Sequence, residues 1–405
     1  MEKTNTSINH PSNILWLSSV PAVWARLICA SFCLLSFLWL AKALFLGYYP
    51  DFNTQYYVPK LVFSGVNPYL GGSNLYTPQA YPPTVSLFYF PLSLLPLGPA
   101  SYLFTIISTI SLIAALLMLS KIFAVKFFSN INLLLMGLAF MMFPVKFTLG
   151  MGQINLIVLF LLVISLWSIK QKKHILSGIF LGVSIVLKLF PLFLPIYLLI
   201  GMYSSQLRSN NIRTLVGILS SCVVAIIIVF IFVPWDISIY FLTQTLPSIL
   251  GGWKLDYYNQ SLSGFIGRSF GIGEFANLLK NIISGLLVLL TFIIILKNKQ
   301  KDFMTTCLIF GCLITLNLIV NTFSWQHHFV WMIVPLYAVF FYIRINKFSK
   351  KYFVILGISC MLMNTNLVNP DVVPVVLRSH VFFGGFILLL LQLKLLLTKK
   401  TFMFK

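Results

Sequence analysis

Long apolar runs recur along the whole chain and restrict it to folds that a lipid bilayer tolerates. Clear examples are residues 213–234, 276–296, 303–322, 352–368 and 381–397. Each holds about twenty mostly apolar residues, the length that an α-helix needs to cross a hydrocarbon core of about 30 Å. Only 9% of the 405 residues are charged, against roughly 25% in soluble domains. We therefore expect an all-α polytopic membrane protein.

The basic residues predict how the helices are oriented. They outnumber acidic residues by 28 to 7, and most lie in short clusters between the apolar runs, which is the pattern of cytoplasmic loops rather than of a nucleic-acid-binding surface. No nucleic-acid partner is expected. The clusters assigned to the cytoplasm are 121–126, 170–173, 208–213, 297–301, 344–351 and 399–405.

This charge pattern also predicts the topology. With a cytoplasmic N-terminus, the first apolar run (about 23–48) is a retained signal anchor, and outer loops follow at about 49–81 and about 235–275. We expect eleven to thirteen spans, most simply twelve, in one membrane-embedded domain covering 1–405. A full span at 84–97 would place Lys121 and Lys126 outside, so this proline-rich segment is predicted to be a re-entrant or broken helix. Residues 175–202 are predicted to form two short helices that meet near Lys188.

Asp51 is the first candidate for chemistry, because the chain has only seven acids and this one follows the first apolar run. It stands among Tyr48, Tyr49, Tyr56 and Tyr57, which are typical of a membrane boundary. A solvated helix-end carboxylate would explain this position. A general base would explain it as well, since burial among aromatic rings raises a carboxylate pKa.

His327 and His328 lie in the segment "SWQHHF" (324–329), at another predicted outer boundary. An ionisable residue there is costly unless it has a function or a partner, although an interfacial anchor is the alternative. Zinc binding is disfavoured because adjacent histidines point to different helix faces and the other three histidines are scattered. The six cysteines lie in or beside apolar runs and are interpreted as small buried residues. No metal site is expected.

Two basic residues on the predicted outer face could hold a phosphate. Lys188 either extends to the membrane interface or binds an anionic head group. Arg268 ends "NQSLSGFIGR" (259–268), and a guanidinium suits bidentate phosphate binding. Solvation of the loop would explain Arg268 equally well.

Six segments in order resemble glycosyltransferase family 87, the polytopic α-1,2-mannosyltransferase-like proteins. They are "DFNTQYYVPKLVFSGVNPY", "YTPQAYPPTVSLFYFPLSLLP", "GQINLIVL", "LKLFPL", "NQSLSGFIGR" and "SWQHHFVWMIVPL". The resemblance implies a C-type glycosyltransferase fold of the bacterial cytoplasmic membrane, with its active site facing outward. It also implies a sugar donor on a polyprenyl phosphate, a lipid-linked or envelope glycan acceptor, and no cofactor. Mannose is the expected sugar, with arabinose as the alternative.

The resemblance also implies roles for single residues. The catalytic aspartate of the first outer loop matches Asp51, which would act as general base in an inverting displacement. One carboxylate can suffice because phosphate leaves without the proton that glycoside hydrolases usually supply from a second acid. Candidates for donor phosphate binding are His327, His328, Lys188 and Arg268. Candidates for sugar or acceptor binding are Gln153, Asn155, Tyr57, Tyr69, Tyr81, Asn259 and Gln260, with Tyr76 as a further aromatic residue of the first loop.

Two other functions remain open from the sequence. A transporter or flippase would also be polytopic with broken helices, but transporters usually place ionisable residues near the midplane and often contain repeats. This chain has boundary residues and no internal repeat. A noncatalytic scaffold would require the site to have decayed, and Asp51 together with "SWQHHF" argues against that.

Overall fold

The computed structural model describes residues 22–45, 49–70, 79–189, 191–201, 208–298, 302–322 and 324–398. Within these ranges the chain is helical, and the one strand-like pairing is an antiparallel bridge between Asn259 and Trp325. The first ten helices are α1 (Ala22–Phe45), α2 (Pro50–Phe63), α3 (Pro83–Ser93), α4 (Leu97–Ile122), α5 (Asn130–Met141), α6 (Phe143–Met151), α7 (Asn155–Lys170), α8 (His174–Leu187), α9 (Phe193–Gly201) and α10 (Arg208–Phe232). The others are α11 (Trp235–Tyr240), α12 (Leu246–Gly251), α13 (Leu262–Phe270), α14 (Glu274–Lys297), α15 (Phe303–Val320), α16 (Ile333–Ile345), α17 (Lys350–Asn364), α18 (Val375–Arg378) and α19 (His380–Leu397).

The long helices confirm the prediction of an all-α polytopic membrane protein. In the described part of the chain, seven helical stretches are long and apolar enough to cross a membrane, and α5 with α6, bent by 50°, would make an eighth. One of the seven joins the 3₁₀ turn Gln326–Met332 to α16. The apolar helices α7 and α8 have only 16 and 14 residues. The total of eleven to thirteen spans stays a prediction, because it depends on how such short helices are counted.

Helix α3 removes the conflict in the predicted topology. It has 11 residues and is therefore about 16 Å long, too short to cross a hydrocarbon core. The hydroxyl of Tyr56 in α2 donates a hydrogen bond to the carbonyl of Leu95 at 2.8 Å, which ties α2 to the end of α3. Helix α4 then begins at Leu97 and ends beside Lys121, so the chain can return to the basic side without an additional span.

Helices α8 and α9 confirm the predicted break near Lys188, which follows the last residue of α8. Glycines hold α8 tightly against α10. A Cβ at Gly178 would lie 1.9 Å from the carbonyl oxygen of Thr214, and one at Gly217 would lie 2.2 Å from that of Ile175. Only glycine permits such an approach, as in other membrane helix pairs with small residues at the interface. This contact fixes α8, and with it the position of Lys188.

Both predicted outer loops contain helices. The segment at about 49–81 includes α2 and the 3₁₀ turn Pro68–Leu70, and the segment at about 235–275 includes α11, α12 and α13. Residues 241–245 add one π-helical turn between α11 and α12. Four candidate site residues lie in these short helices: Asp51 and Tyr57 in α2, Tyr69 in the 3₁₀ turn and Arg268 in α13.

Candidate active site

Asp51 lies in the first turn of α2, and the local backbone fixes it beside the end of α6. Tyr49 adopts a left-handed conformation (φ 49°) immediately before the helix, and its N–H donates to the carbonyl of Gly150 at 3.0 Å. Gly152 is also left-handed (φ 69°), and a Cβ there would lie 2.5 Å from the Cβ of Phe52. The two segments approach closely because residue 152 is a glycine, and this approach places Gln153 next to Asp51.

Gln153 connects Asp51 to the other polar groups of the site. Its side-chain N–H group donates to the Asp51 carboxylate, and its side-chain oxygen accepts a hydrogen bond from the Tyr81 hydroxyl. The Lys188 ammonium donates to Asn155 Oδ1 at 2.6 Å, to the Tyr81 hydroxyl at 3.2 Å and to Gln153 Oε1 at 3.4 Å. Five side chains from four parts of the sequence thus form one network, which we call the Asp51 network.

The charges of the Asp51 network are distinctive within the described part of the chain. Of the six acids there, Asp51 is the one that is not exposed. Lys188 is the one buried lysine or arginine, with 8% of its side chain exposed. Burying a charged group without a partner is costly, so the pair forms a rare concentration of charge in an otherwise apolar protein.

Burial also changes the protonation equilibria of this pair, which lies outside the candidate membrane spans. Loss of water raises the pKa of Asp51 above its ordinary value, although the hydrogen bond from Gln153 and the charge of Lys188 oppose the change. Burial lowers the pKa of Lys188 to about 7, against the opposing effect of Asp51. Asp51 is therefore a better proton acceptor than a solvated carboxylate, and Lys188 becomes sensitive to pH near neutrality.

His327 adjoins this network through its backbone. Its carbonyl accepts hydrogen bonds from Thr148 at 3.0 Å and from the Asn155 side chain at 3.2 Å, and the Asn155 carbonyl accepts one from the Trp331 indole at 2.9 Å. The imidazole is 5% exposed, and its Nδ1 atom has no hydrogen-bond partner. This nitrogen is therefore a buried polar atom whose hydrogen-bonding capacity is not used.

His328 is also buried, at 2% exposure, and its ring stacks on that of Trp331 with centroids 5.7 Å apart. If the two histidines were interfacial anchors, their rings would be exposed at the membrane boundary. Because both are buried, the structure does not favour the anchor alternative. Among the described residues, no group of three or more histidine, cysteine, aspartate or glutamate side chains could hold a metal ion.

Three of the predicted ligand-binding residues instead stabilise the second large loop. Arg268 donates to the backbone carbonyls of Asp256 at 2.9 Å and Asn259 at 2.8 Å, and to the Ser379 hydroxyl at 2.9 Å. The Gln260 side chain donates to two carbonyls, those of Tyr257 and Arg378. The Asn259 side chain donates to the Lys254 carbonyl at 2.8 Å. These bonds favour a structural role for all three residues.

The tyrosines of the first loop have different positions. Tyr81 belongs to the Asp51 network. Tyr69 supports it from behind, because its hydroxyl donates to the Tyr81 carbonyl at 2.9 Å. Tyr57 is half-buried against Tyr56 and is not one of the five network residues. Tyr76 lies outside the described residues. Sequence reasoning missed Thr148, which had no signal beyond lying four residues before "GQIN".

A model of glycosyltransferase family 87 matches residues 80–362. The chain belongs to glycosyltransferase family 87. The matched segment includes Gln153, Lys188 and His327 but begins after Asp51. Membership favours a glycosyltransferase over the transporter and scaffold alternatives.

Similar proteins within the family act on different sugars according to their names. One is a polyprenol-phosphate-mannose-dependent alpha-(1-2)-phosphatidylinositol pentamannoside mannosyltransferase of Mycobacterium tuberculosis, 26% identical over 64% of this chain and 57% of the relative. Another is an alpha-(1->3)-arabinofuranosyltransferase of Corynebacterium glutamicum, 26% identical over 62% of this chain and 58% of the relative. An alpha-(1->3)-arabinofuranosyltransferase of Mycobacterium tuberculosis is 32% identical over 47% of this chain and 42% of the relative. The chain thus spans less than two thirds of the length of these relatives.

Proposed function

We propose that this family 87 protein transfers a sugar from a polyprenyl-phosphate donor to a hydroxyl group of a lipid-linked or envelope glycan, with Asp51 as the general base. The observation that carries the proposal is the Asp51 network: the one acid not exposed in the described chain shares hydrogen-bonded partners with the one buried lysine. A base and a cation at the same site match the two needs of the reaction. One group must accept a proton, and the other must bind a phosphate.

The proposed reaction is a single inverting displacement. The Asp51 carboxylate takes the proton of the acceptor hydroxyl while that oxygen forms a bond to the anomeric carbon. The bond between the anomeric carbon and the phosphate oxygen breaks, and its electron pair leaves with the polyprenyl phosphate. Burial supports the first step, because a carboxylate of raised pKa lies closer to the pH at which a general base is most effective.

Lys188 and His327 are the proposed phosphate-binding groups. The Lys188 ammonium already donates to three side-chain oxygens, and a phosphate oxygen could replace one of them as acceptor. A cation in a water-poor site stabilises developing negative charge more strongly than it would in water. The unpartnered Nδ1 of His327 could donate to the same phosphate when it carries a proton. His328 is proposed as a support for this arrangement.

The proposed donor is polyprenyl-phosphate mannose, with polyprenyl-phosphate arabinofuranose as the alternative. The names of the relatives support both sugars. The site is proposed to face the outside of a bacterial cytoplasmic membrane, because the Asp51 network lies at one end of α8 and the basic cluster 170–173 lies at the other. Basic loops remain in the cytoplasm.

The experiment uses purified full-length protein in lipid nanodiscs. It is incubated separately with radiolabelled polyprenyl-phosphate mannose, arabinofuranose and glucose, each with a bacterial membrane lipid extract as acceptor. We expect labelled glycolipid from the mannose or the arabinofuranose donor, together with release of polyprenyl phosphate. Transfer from none of the three donors, by protein that remains monodisperse, would contradict the proposal.

A further inference from the structure

A group of aromatic rings lies beside the Asp51 network. It consists of Phe147 in α6, Tyr258 in the second large loop and Trp325 just before the histidines. Tyr258 and Phe147 have ring centroids 5.1 Å apart, and Tyr258 and Trp325 have centroids 6.2 Å apart with planes inclined by only 20°. We call these three residues the aromatic platform.

Backbone hydrogen bonds hold the platform in place. The Asn259 N–H donates to the Asp256 carbonyl at 2.9 Å, which closes a turn across residues 256–259. This turn buries Tyr257, whose hydroxyl bonds to His380 at 2.9 Å, and leaves Tyr258 37% exposed. The Gln326 N–H donates to the Tyr258 carbonyl at 2.9 Å. The platform is thus preorganised by backbone hydrogen bonds, one of which comes from Asn259, a residue that the sequence suggested as a ligand.

The rings keep part of their faces open. Tyr258 is exposed, and Phe147 and Trp325 are half-buried. Nearly parallel rings with centroids 6.2 Å apart are offset along their planes rather than stacked face on face, so each covers only part of its neighbour. The result is an extended apolar surface, and the exposed Asp256 lies two residues before Tyr258 in the chain.

The platform is continuous with the active site through His327. The His327 ring lies parallel to that of Trp325 (2°, centroids 6.2 Å apart) and 5.4 Å from that of Phe147. Its backbone carbonyl is bound by Asn155, which in turn accepts a hydrogen bond from Lys188. The platform therefore adjoins the Asp51 network, with the buried His327 between them.

We infer that the aromatic platform binds a sugar ring of the acceptor glycan by stacking. This inference rests on the proposed function. The C–H face of an uncharged sugar packs well against an aromatic ring, while its hydroxyl groups need polar partners, which residues of the same loop such as the exposed Asp256 could supply. Tyr258 and Trp325 present an aromatic surface with no described cation–π contact, whereas Lys188 lies within 5.1 and 5.7 Å of the Tyr81 and Trp331 rings. The phosphate-bearing donor belongs on the Lys188 side, and the neutral acceptor sugar belongs on the platform.

The test compares sugar binding with donor use. The probes are the octyl glycosides of a mannose disaccharide and of an arabinofuranose disaccharide, titrated into the purified full-length protein and followed by ligand-detected NMR. The variants are Tyr258→Ala, Trp325→Ala and the conservative Trp325→Phe. The control is Trp235→Ala, because Trp235 is 64% exposed in the same large loop but lies apart from the platform rings.

We expect Tyr258→Ala and Trp325→Ala each to weaken binding of one probe by about tenfold and to raise the acceptor KM by a similar factor. This is the effect expected from loss of a ring-sized apolar contact. Trp325→Phe and Trp235→Ala should remain within about threefold of wild type, and the donor KM should not change. The inference is overturned if wild type binds neither probe, or if folded Tyr258→Ala binds both probes as wild type does. It is also overturned if the variants raise the donor KM instead of the acceptor KM. The two proposals can also be told apart. If the variants lose probe binding but wild type transfers no sugar from any donor, sugar binding by the platform is supported and the proposed function is rejected.

Discussion

Replacing Gln153 by leucine tests whether the Asp51 network controls the base. The change keeps a side chain of similar size but removes the hydrogen bond that lowers the pKa of Asp51. A hydrogen bond to a charged group contributes about 1.5–3 kcal/mol, and one pKa unit corresponds to about 1.36 kcal/mol. Because Asp51 is only half-buried and water can partly replace the lost donor, we expect the smaller effect. The pKa of Asp51 should therefore rise, because the donor that favours its charged form is lost.

The assay is kcat/KM for the donor as a function of pH, since this ratio reports on groups of the free enzyme. Asp51 must be ionised to accept a proton, so a higher pKa moves the acidic limb of the profile to higher pH. Asn132→Leu is the control, because Asn132 is a fully buried amide bonded to Ser120 and to the Phe127 carbonyl, outside the network. If Gln153→Leu loses activity but keeps the wild-type acidic limb, as Asn132→Leu should, Gln153 has only a structural role.

Two further predictions concern the other parts of the site. With its pKa lowered to about 7, Lys188 loses its charge as pH rises, so wild-type kcat/KM should fall above about pH 7. Lys188→Met should remove this alkaline limb and reduce kcat/KM about a hundredfold, and an unchanged limb would contradict phosphate binding by Lys188. Gly152→Ala should lower stability by about 1–3 kcal/mol through backbone strain and reduce transfer, because a Cβ there would meet Phe52. Gly98→Ala is the control in both the thermal unfolding and the transfer assays, because a Cβ at Gly98 would lie in open space. Equal effects of the two glycine changes would contradict the role of Gly152 in the approach of α2 to residue 152.

The local features of the fold could be predicted because they depend on residues close in sequence. Four of the five apolar runs named above contain helices long enough to cross a membrane, whereas 352–368 corresponds to the 15-residue α17. Pro191 with Lys188 marks the break between α8 and α9. The helices inside the large loops could not be predicted in this way. Helix α2 contains Pro50, Asp51 and Pro59, and its stability comes from packing of residues such as Phe52 rather than from an apolar run.

Single residues of the candidate site could be proposed from the sequence, but the contacts between them could not. Asp51 was identified because acids are scarce, and Gln153 because of its motif, but their contact joins residues 102 positions apart and leaves no pattern in the sequence. Arg268 shows the opposite difficulty. A guanidinium suits backbone carbonyls as well as phosphate, and only the fold shows that it binds the carbonyls of Asp256 and Asn259.

The proposal that Asp51 is the base is tested most directly by Asp51→Asn. The amide keeps the size of the side chain but cannot accept the proton of the acceptor hydroxyl. The measurement is the rate of sugar transfer by purified protein with donor in excess, alongside thermal unfolding and donor binding. We expect unfolding and donor binding close to those of wild type and transfer reduced by at least about a hundredfold. Transfer near the wild-type rate would contradict the assignment of Asp51 as the base.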